Sequence, residues 1–300
     1  MTENRKKLSG VFAPVVTPFR NEELSLDDLR HNLRRLGETS LAGYLALGSN
    51  GEYKSLTDRE QMQVLEVFAA EKDDKVVMVG TGCESTKQTV EKSRVVAQMG
   101  FDYVSVLTPS YFAKRMDGET LRGYYERIAD SISIPVLIYN APGFAGGVQV
   151  PPATVAALAK HERIVGMKDS APTGPARFLT ELDPADDFSV LAGSINFFYP
   201  SLHIGAAGGV VSLANALPEP CARLYTLFAE GKYAEAKELH FQLARLNRAV
   251  SGSWGVAGVK AAMDVLGFKG GAPRHPLTSV PDEGRERMKQ ALTNAGLLAN

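Results

Sequence analysis

Cysteine is scarce in this sequence of 300 residues, which contains two, Cys83 and Cys221, without a CxxC spacing. This excludes a disulfide framework and a cysteine zinc site, and it fits a reducing compartment. Histidine is nearly as rare, and the five histidines show no HxH or HxxxH spacing, so we expect no metal site. They are His31, His161, His203, His240 and His275.

Neither sign of charge dominates, because 33 Lys and Arg residues balance 34 Asp and Glu residues to a net charge of -1. We therefore expect neither a nucleic-acid partner nor a membrane partner. No run approaches the ~18 apolar residues of a membrane span, and the basic segment at 1–10 has no apolar run behind it. A cytoplasmic protein without an export signal is expected.

Short apolar runs rich in β-branched residues alternate with amphipathic helical patterns, which is typical of parallel βα units. No GxGxxG follows an early strand, which disfavours a doubly wound dinucleotide-binding sheet. We predict strands at residues 11–16, 43–47, 76–80, 103–107, 135–139, 164–168, 189–193 and 208–212.

Two helix starts carry capping signals. Ser25 precedes a helical pattern with acidic residues in its first turn, so we expect it to be the N-cap. Thr57 and Glu60 have the spacing of a capping box at the start of the next helix. Each of these helices follows the end of a predicted strand, as in a βα unit.

Additional helices are predicted after the eighth strand, at residues 232–250, 256–267 and 282–298. Eight βα units favour an α/β fold of the (β/α)8 TIM-barrel type. We assign the barrel to residues 1–225 and a C-terminal helical extension to residues 226–300. The extension is expected to pack on the barrel as part of a single structural unit.

A lysine, Lys168, ends the apolar run of the segment IVGMKDSAP and is followed by Asp169. The carboxyl ends of barrel strands form the active site, and burial there disfavours an ammonium group, so we expect some neutral amine near neutral pH. A neutral amine attacks a ketone, and the resulting iminium allows C–C bond cleavage or formation without a metal. The simpler interpretation, in which Lys168 reaches solvent or pairs with Asp169, stays open.

Two further strand ends carry polar groups. Tyr139 ends the fifth predicted strand, where a phenol can transfer protons, although a core tyrosine with a satisfied hydroxyl is equally typical. GSNGE, at 48–52, follows the second strand, and its glycines would let backbone N–H groups approach a carboxylate. Ordinary turns also use these residues. We interpret Glu52 as a group that pins this loop by hydrogen bonds.

Together, motifs along the chain resemble those of the dihydrodipicolinate synthase / N-acetylneuraminate lyase family, which contains class I pyruvate-dependent aldolases. The resemblance covers residues 10 to 297 and implies the barrel fold inferred above. The motifs are GSNGE (48–52), TPSYF (108–112), YNAPGFAG (139–146), GMKDS (166–170), LAGS (191–194) and GAAGGV (205–210).

The resemblance implies a role for each matching residue. Lys168 becomes the Schiff-base lysine and Tyr139 the acid/base group, while Ser49 and Asn50 hold the pyruvyl carboxylate and relay protons. Tyr111 reaches in from a neighbouring subunit of a homotetramer, built as a dimer of dimers, to complete the relay. No cofactor besides the covalent Schiff base is implied. Substrate contacts are implied for Gly48, Ser49, Asn50, Ser170, Gly193 and Val210.

Within the family, the segments GSNGE, GTGCEST, TPSYFAKRM and IVGMKDS most resemble 4-hydroxy-2-oxoglutarate aldolases. The synthase branch usually carries an arginine inside the YNxPxxxG segment, which here contains Gly143, Phe144 and Ala145. Without that guanidinium, a bidentate partner for the carboxylate of aspartate semialdehyde is missing. We therefore expect cleavage of a 4-hydroxy-2-oxo acid to pyruvate and an aldehyde such as glyoxylate.

Three rival functions stay open. A dihydrodipicolinate synthase, or a 2-keto-3-deoxy sugar acid aldolase or dehydratase of the same family, would share the lysine but act on another substrate. A metal-dependent aldolase would lose activity with a chelator. A non-catalytic keto-acid-binding protein would bind its ligand reversibly and form no reducible adduct.

Overall fold

The structure, a computed structural model, describes residues 8–298. Residues 1–7, at which no export signal was predicted, lie outside the described residues. The strands are β1 (Gly10–Pro14), β2 (Phe19–Arg20), β3 (Glu23–Leu24), β4 (Gly43–Ala46), β5 (Val76–Gly80), β6 (Tyr103–Leu107), β7 (Val136–Asn140), β8 (Ile164–Asp169), β9 (Ser189–Ala192) and β10 (Gly208–Val210).

Helices follow most of the longer strands. They are α1 (Leu26–Gly37), α2 (Asp58–Glu71), α3 (Thr86–Gln98), α4 (Gly118–Ser131), α5 (Pro152–Leu158), α6 (Ala176–Leu179), α7 (Ile195–His203), α8 (Pro218–Ala229), α9 (Tyr233–Asn247), α10 (Gly255–Val265) and α11 (Asp282–Asn294). Short 3-10 turns lie at Tyr53–Ser55, Ala113–Arg115, Pro142–Phe144 and Ser212–Asn215, and a π-helical turn lies at Arg248–Gly252.

Eight of the strands form a closed barrel in the order β1-β10-β9-β8-β7-β6-β5-β4, and β2 pairs with β3 in a separate hairpin. The predicted (β/α)8 barrel with additional C-terminal helices is therefore confirmed. Contacts between Cα atoms divide the chain into two compact units. The first consists mainly of Val76–Val210, and the second combines Gly10–Lys75 with the residues from Val211 onward. The predicted division at residue 225 stays a prediction.

In the first unit, β5 to β10 pair in parallel with their neighbours in the chain. Every residue of β6, β7 and β8 is buried, as expected for parallel strands covered on both faces. Gly166 in β8 allows close packing of β9, because a Cβ atom there would lie 2.5 Å from the backbone oxygen of Ser189. The helices α3 to α7 alternate with these strands.

The second unit contains the parallel pair of β1 and β4, in which Phe12 lies opposite Gly43. The helices α1, α2 and α8 to α11 belong to the same unit. Within residues 8–298, no helix combines the length and the hydrophobicity that crossing a membrane requires.

The two predicted helix caps have different outcomes. The Thr57 capping box is confirmed, since Thr57 Oγ1 accepts from Glu60 N and Thr57 N donates to Glu60 Oε2. Ser25 is confirmed as the N-cap residue of α1, but its hydroxyl caps no backbone N–H of the helix and donates to Asp28 Oδ2 at 2.7 Å instead. The charged carboxylate, which also binds Arg20, is the stronger hydrogen-bonding partner for this hydroxyl.

Candidate active site

Two polar residues face each other at the carboxyl ends of β7 and β8. The strand register places Tyr139 opposite Lys168, and Lys168 Nζ lies 4.3 Å from the centroid of the Tyr139 ring. Only 5% of Tyr139 and 6% of Lys168 are exposed. The sequence predicted both residues, and the structure brings them together because each occupies the same level of two neighbouring strands.

Lys168 has no hydrogen bond or ion pair among residues 8–298; its amine packs on the face of the Tyr139 ring. Only 6% of Lys168 is exposed, so most of its side chain is removed from solvent. The alternative interpretation in which Lys168 pairs with Asp169 is wrong. Asp169 does not pair with it, because the Asp169 carboxylate accepts hydrogen bonds from Asn140 and from the backbone of Ala171.

Ser170 and Gly193 approach each other closely beyond the ends of β8 and β9. Gly193 N donates to the backbone oxygen of Asp169 at 2.7 Å, and Ser170 N donates to the backbone oxygen of Asn140 at 2.8 Å. A Cβ atom at Gly193 would lie 2.6 Å from the Asp169 oxygen and would collide with Ser170 Oγ. Only glycine fits at residue 193. Val210 lies fully buried at the end of β10.

Tyr111 lies on the loop after β6 and is 80% exposed, with its ring edge-on to Phe112 at a centroid distance of 5.0 Å. The backbone of this loop is held by Glu84, whose carboxylate accepts from Ser110 N and Tyr111 N at 2.9 Å each. This role of Glu84 was missed by the sequence analysis, because no local pattern connects it with Tyr111. The predicted contact of Tyr111 with a neighbouring subunit stays a prediction.

In the second unit, the GSNGE segment forms a tight turn. Gly51 N donates to Gly48 O at 3.0 Å, and Glu52 N donates to Ser49 O at 3.1 Å. Asn50 Nδ2 donates to Ser212 Oγ at 2.7 Å, so part of its donor capacity is used within the protein. The implied roles of Gly48, Ser49 and Asn50 in substrate binding stay predictions.

The GSNGE turn is anchored by the buried carboxylate of Glu52, which confirms the interpretation of this residue. Glu52 Oε1 forms an ion pair with Lys260 Nζ at 2.5 Å, and Glu52 Oε2 accepts from Arg274 N at 2.9 Å. Lys260 is completely buried, donates to Ala272 O at 3.0 Å and lies over the ring of Phe19. Burial lowers the pKa of Lys260, and Glu52 opposes that shift. The sequence analysis missed Lys260, because nothing local distinguishes it from a surface lysine.

Comparison with known proteins shows the family of the chain. The Dihydrodipicolinate synthetase family matches residues 7–295. A 4-hydroxy-tetrahydrodipicolinate synthase of Methanospirillum hungatei is 36% identical over 95% of this chain and 98% of its own length. An uncharacterized DapA-like lyase of Halobacterium salinarum is 34% identical over 97% of this chain and 95% of its own.

A solved structure of dihydrodipicolinate synthase from Thermotoga maritima has a TM-score of 0.89 and 28% identity, covering 97% of this chain and 99% of that one. The first two curated relatives are named as synthases, whereas the segments compared above suggested 4-hydroxy-2-oxoglutarate aldolase. The family match, the curated relatives and the fold agree at the level of the family. The chain belongs to the dihydrodipicolinate synthetase family and is an enzyme of the class I aldolase type.

Proposed function

We propose that Lys168 forms a Schiff base with a 4-hydroxy-2-oxo acid, such as 4-hydroxy-2-oxoglutarate, which is then cleaved to pyruvate and an aldehyde such as glyoxylate. The observation that carries this proposal is the buried amine of Lys168, 4.3 Å from the Tyr139 ring centroid and without a carboxylate partner in the described part of the chain. An amine that no carboxylate binds is available to a ketone carbonyl, with which it condenses to a Schiff base.

The proposed reaction needs no metal and no cofactor. The neutral Lys168 amine attacks C2 of the oxo acid, and loss of water gives the iminium. Tyr139 gives its phenol proton to the hydroxide that leaves as water, and its phenolate then takes the proton of the C4 hydroxyl while the C3–C4 bond breaks. The aldehyde leaves, and the electrons of that bond enter the iminium to give an enamine. Protonation of C3 and hydrolysis by water release pyruvate and restore the amine.

The chemistry of residues 141–147 supports a substrate other than aspartate semialdehyde. This segment contains no arginine or lysine, and Phe144 within it is 64% exposed. A guanidinium that could bind a distal carboxylate in a bidentate manner is therefore missing from it. Lys114 and Arg115 are exposed on the loop after β6. The second candidate is the synthase reaction itself, which the names of the first two curated relatives favour.

Trapping with borohydride tests the shared first step. With pyruvate present, reduction should leave a covalent mass adduct on Lys168 of the wild-type protein. A Lys168→Ala variant that remains folded should carry no adduct at this site. An unlabelled wild-type protein would contradict Schiff-base chemistry altogether, and it is also the result that a non-catalytic keto-acid-binding protein would give.

A substrate panel then distinguishes the candidates. We expect pyruvate release from 4-hydroxy-2-oxoglutarate to exceed both release from 2-keto-3-deoxy sugar acids and consumption of pyruvate with aspartate semialdehyde. Faster consumption of aspartate semialdehyde would identify the synthase instead. Loss of activity after treatment with a chelator would point to a metal-dependent aldolase, which the proposed scheme does not require.

We also propose, on the family resemblance, that Ser49 and Asn50 bind the carboxylate of the keto acid. The same resemblance supports Gly48, Ser170, Gly193 and Val210 as further substrate contacts. It also supports a homotetramer in which Tyr111 serves the site of a neighbouring subunit. Tyr111 is exposed, and Glu84 accepts a hydrogen bond from its backbone N–H. Both observations are compatible with a contact to a neighbouring subunit.

A further inference from the structure

Asn140 and Asp169 lie opposite each other in β7 and β8, one residue beyond Tyr139 and Lys168, and both are completely buried. We propose that the Asn140–Asp169 pair is a positioning device that holds Tyr139 and Lys168 in register for the reaction. This inference rests on the proposed function, because it assigns a task to the residues that support the reacting pair. Successive residues of a strand face opposite sides, so the two side chains lie behind the site.

The hydrogen bonds of this pair leave one arrangement for the Asn140 amide. Asn140 Nδ2 donates to Asp169 Oδ1 at 2.6 Å, and Asn140 Oδ1 accepts from Val150 N at 3.0 Å. A carboxylate only accepts and a backbone N–H only donates, so a flipped amide would lose both bonds. Asp169 Oδ1 also accepts from Ala171 N at 3.2 Å. One amide therefore connects both strands with the end of the loop that contains Phe144.

The Asn140–Asp169 hydrogen bond matters because the register of β7 and β8 is not regular along the whole pair. The register is irregular between Val136 and Leu137, at the beginning of the pair, and regular from there to Asn140 and Asp169. A slip of one residue would move side chains to the opposite face of the sheet. The Asn140–Asp169 hydrogen bond lies at the end where Tyr139 and Lys168 meet. It opposes a slip at the place where the chemistry depends on register.

Asp169 is a positioning residue and not a reacting group. Its side chain is inaccessible, and its Oδ1 atom is occupied by two donors. Burial raises the pKa of Asp169, while the bonds from Asn140 and Ala171 and the charge of Arg177 oppose that rise. The geometry thus favours an acceptor that fixes the ends of two strands. A displacement of ~1 Å at a reacting group is enough to reduce a rate by about 100-fold.

Three variants, assayed over a pH series that extends into the alkaline range, test the pair. Asn140→Asp places two carboxylates against each other and removes the donor, so kcat/KM should fall by about 100-fold. Adding Asp169→Asn recreates a donor and an acceptor in reversed positions and should recover at least about tenfold. Asp169→Asn alone keeps the Oδ1 acceptor and should stay within about threefold of the wild-type protein.

The rate of adduct formation on Lys168 and the Tm are measured in parallel for each variant. All rates are measured well below the lowest Tm, so that every variant is folded. The expected result is that the adduct rate and kcat fall for Asn140→Asp under these conditions and recover in the double variant, which a role in stability alone would not produce. Wild-type kinetics for Asn140→Asp, or a double variant no faster than Asn140→Asp, would overturn the inference. If the wild-type protein forms no adduct, the proposed function fails instead, which keeps the two failures distinct.

Discussion

Replacement of Lys260 by methionine should destabilise the protein strongly, because it leaves a buried carboxylate without its ion-pair partner. Lys260 is completely buried, the Glu52 side chain is 2% exposed, and the pair is separated by 2.5 Å. Removal of one partner from such a pair costs about 3–5 kcal/mol. For a chain of 300 residues, a loss of ~4 kcal/mol lowers the Tm by roughly 6 °C. Methionine keeps the volume of the stem and the contact with Phe19, so the loss measures charge rather than packing.

The assay is thermal unfolding of Lys260→Met, Glu52→Gln and the double variant. Since the double variant contains no unpaired charge, its loss should be smaller than the sum of the single losses, with a coupling of ~2 kcal/mol. Lys237→Met, on the exposed face of α9, is the matched control and should change stability by less than about 0.5 kcal/mol. A Tm of Lys260→Met equal to that of the control, or additive losses in the cycle, would refute the reasoning.

Two further predictions concern packing and pH. Gly193→Ala should lower the free energy of unfolding by about 1–3 kcal/mol, because the new Cβ atom collides with Ser170, and Gly143→Ala, where no atom lies within 4 Å, should not. Equal Tm values for these two alanine variants would contradict the collision. Glu60 hydrogen-bonds Arg274, which lowers the pKa of Glu60 from 4.5 to about 2. Because the folded-state pKa is depressed, the stabilising contribution of Glu60 is present above pH 4.5 and is lost as the pH falls towards 2. The difference in Tm between the wild-type protein and Glu60→Gln should therefore shrink over that range, and a constant difference would argue against this linkage.

The strand pattern was predictable because it depends on neighbours in the sequence. Strands that are buried on both faces, such as β6 and β8, contain continuous hydrophobic runs that can be recognised in the sequence. The Thr57 capping box was equally local, since both of its partners lie within one helical turn. Ser25 shows the limit of such reasoning. Its hydroxyl bonds the carboxylate of Asp28, which Arg20 holds in place from the β2 hairpin strand.

In the candidate site, the sequence identified Lys168 and Tyr139 but not what fixes them. Both are polar residues at the end of a predicted strand, and such positions can be located from the pattern alone. Val150 N donates to Asn140 Oδ1, and this contact depends on how the loop after β7 folds back onto that strand. The hydrogen bond from Tyr111 N to the Glu84 carboxylate connects two loops, and its two residues are 27 positions apart in the sequence. Local spacing contains no signal for either contact.

The sequence alone determined the class of fold and the position of Lys168 at the end of a strand, because hydrophobic periodicity and residue type act over a few neighbouring positions. Only the tertiary structure decided which charges are buried together. Glu52 binds the backbone of Arg274 across 222 residues of sequence, and Lys260 completes that cluster. Such pairs form only when the folded chain removes both groups from water, so their energy arises from a dielectric environment that no local stretch of sequence contains.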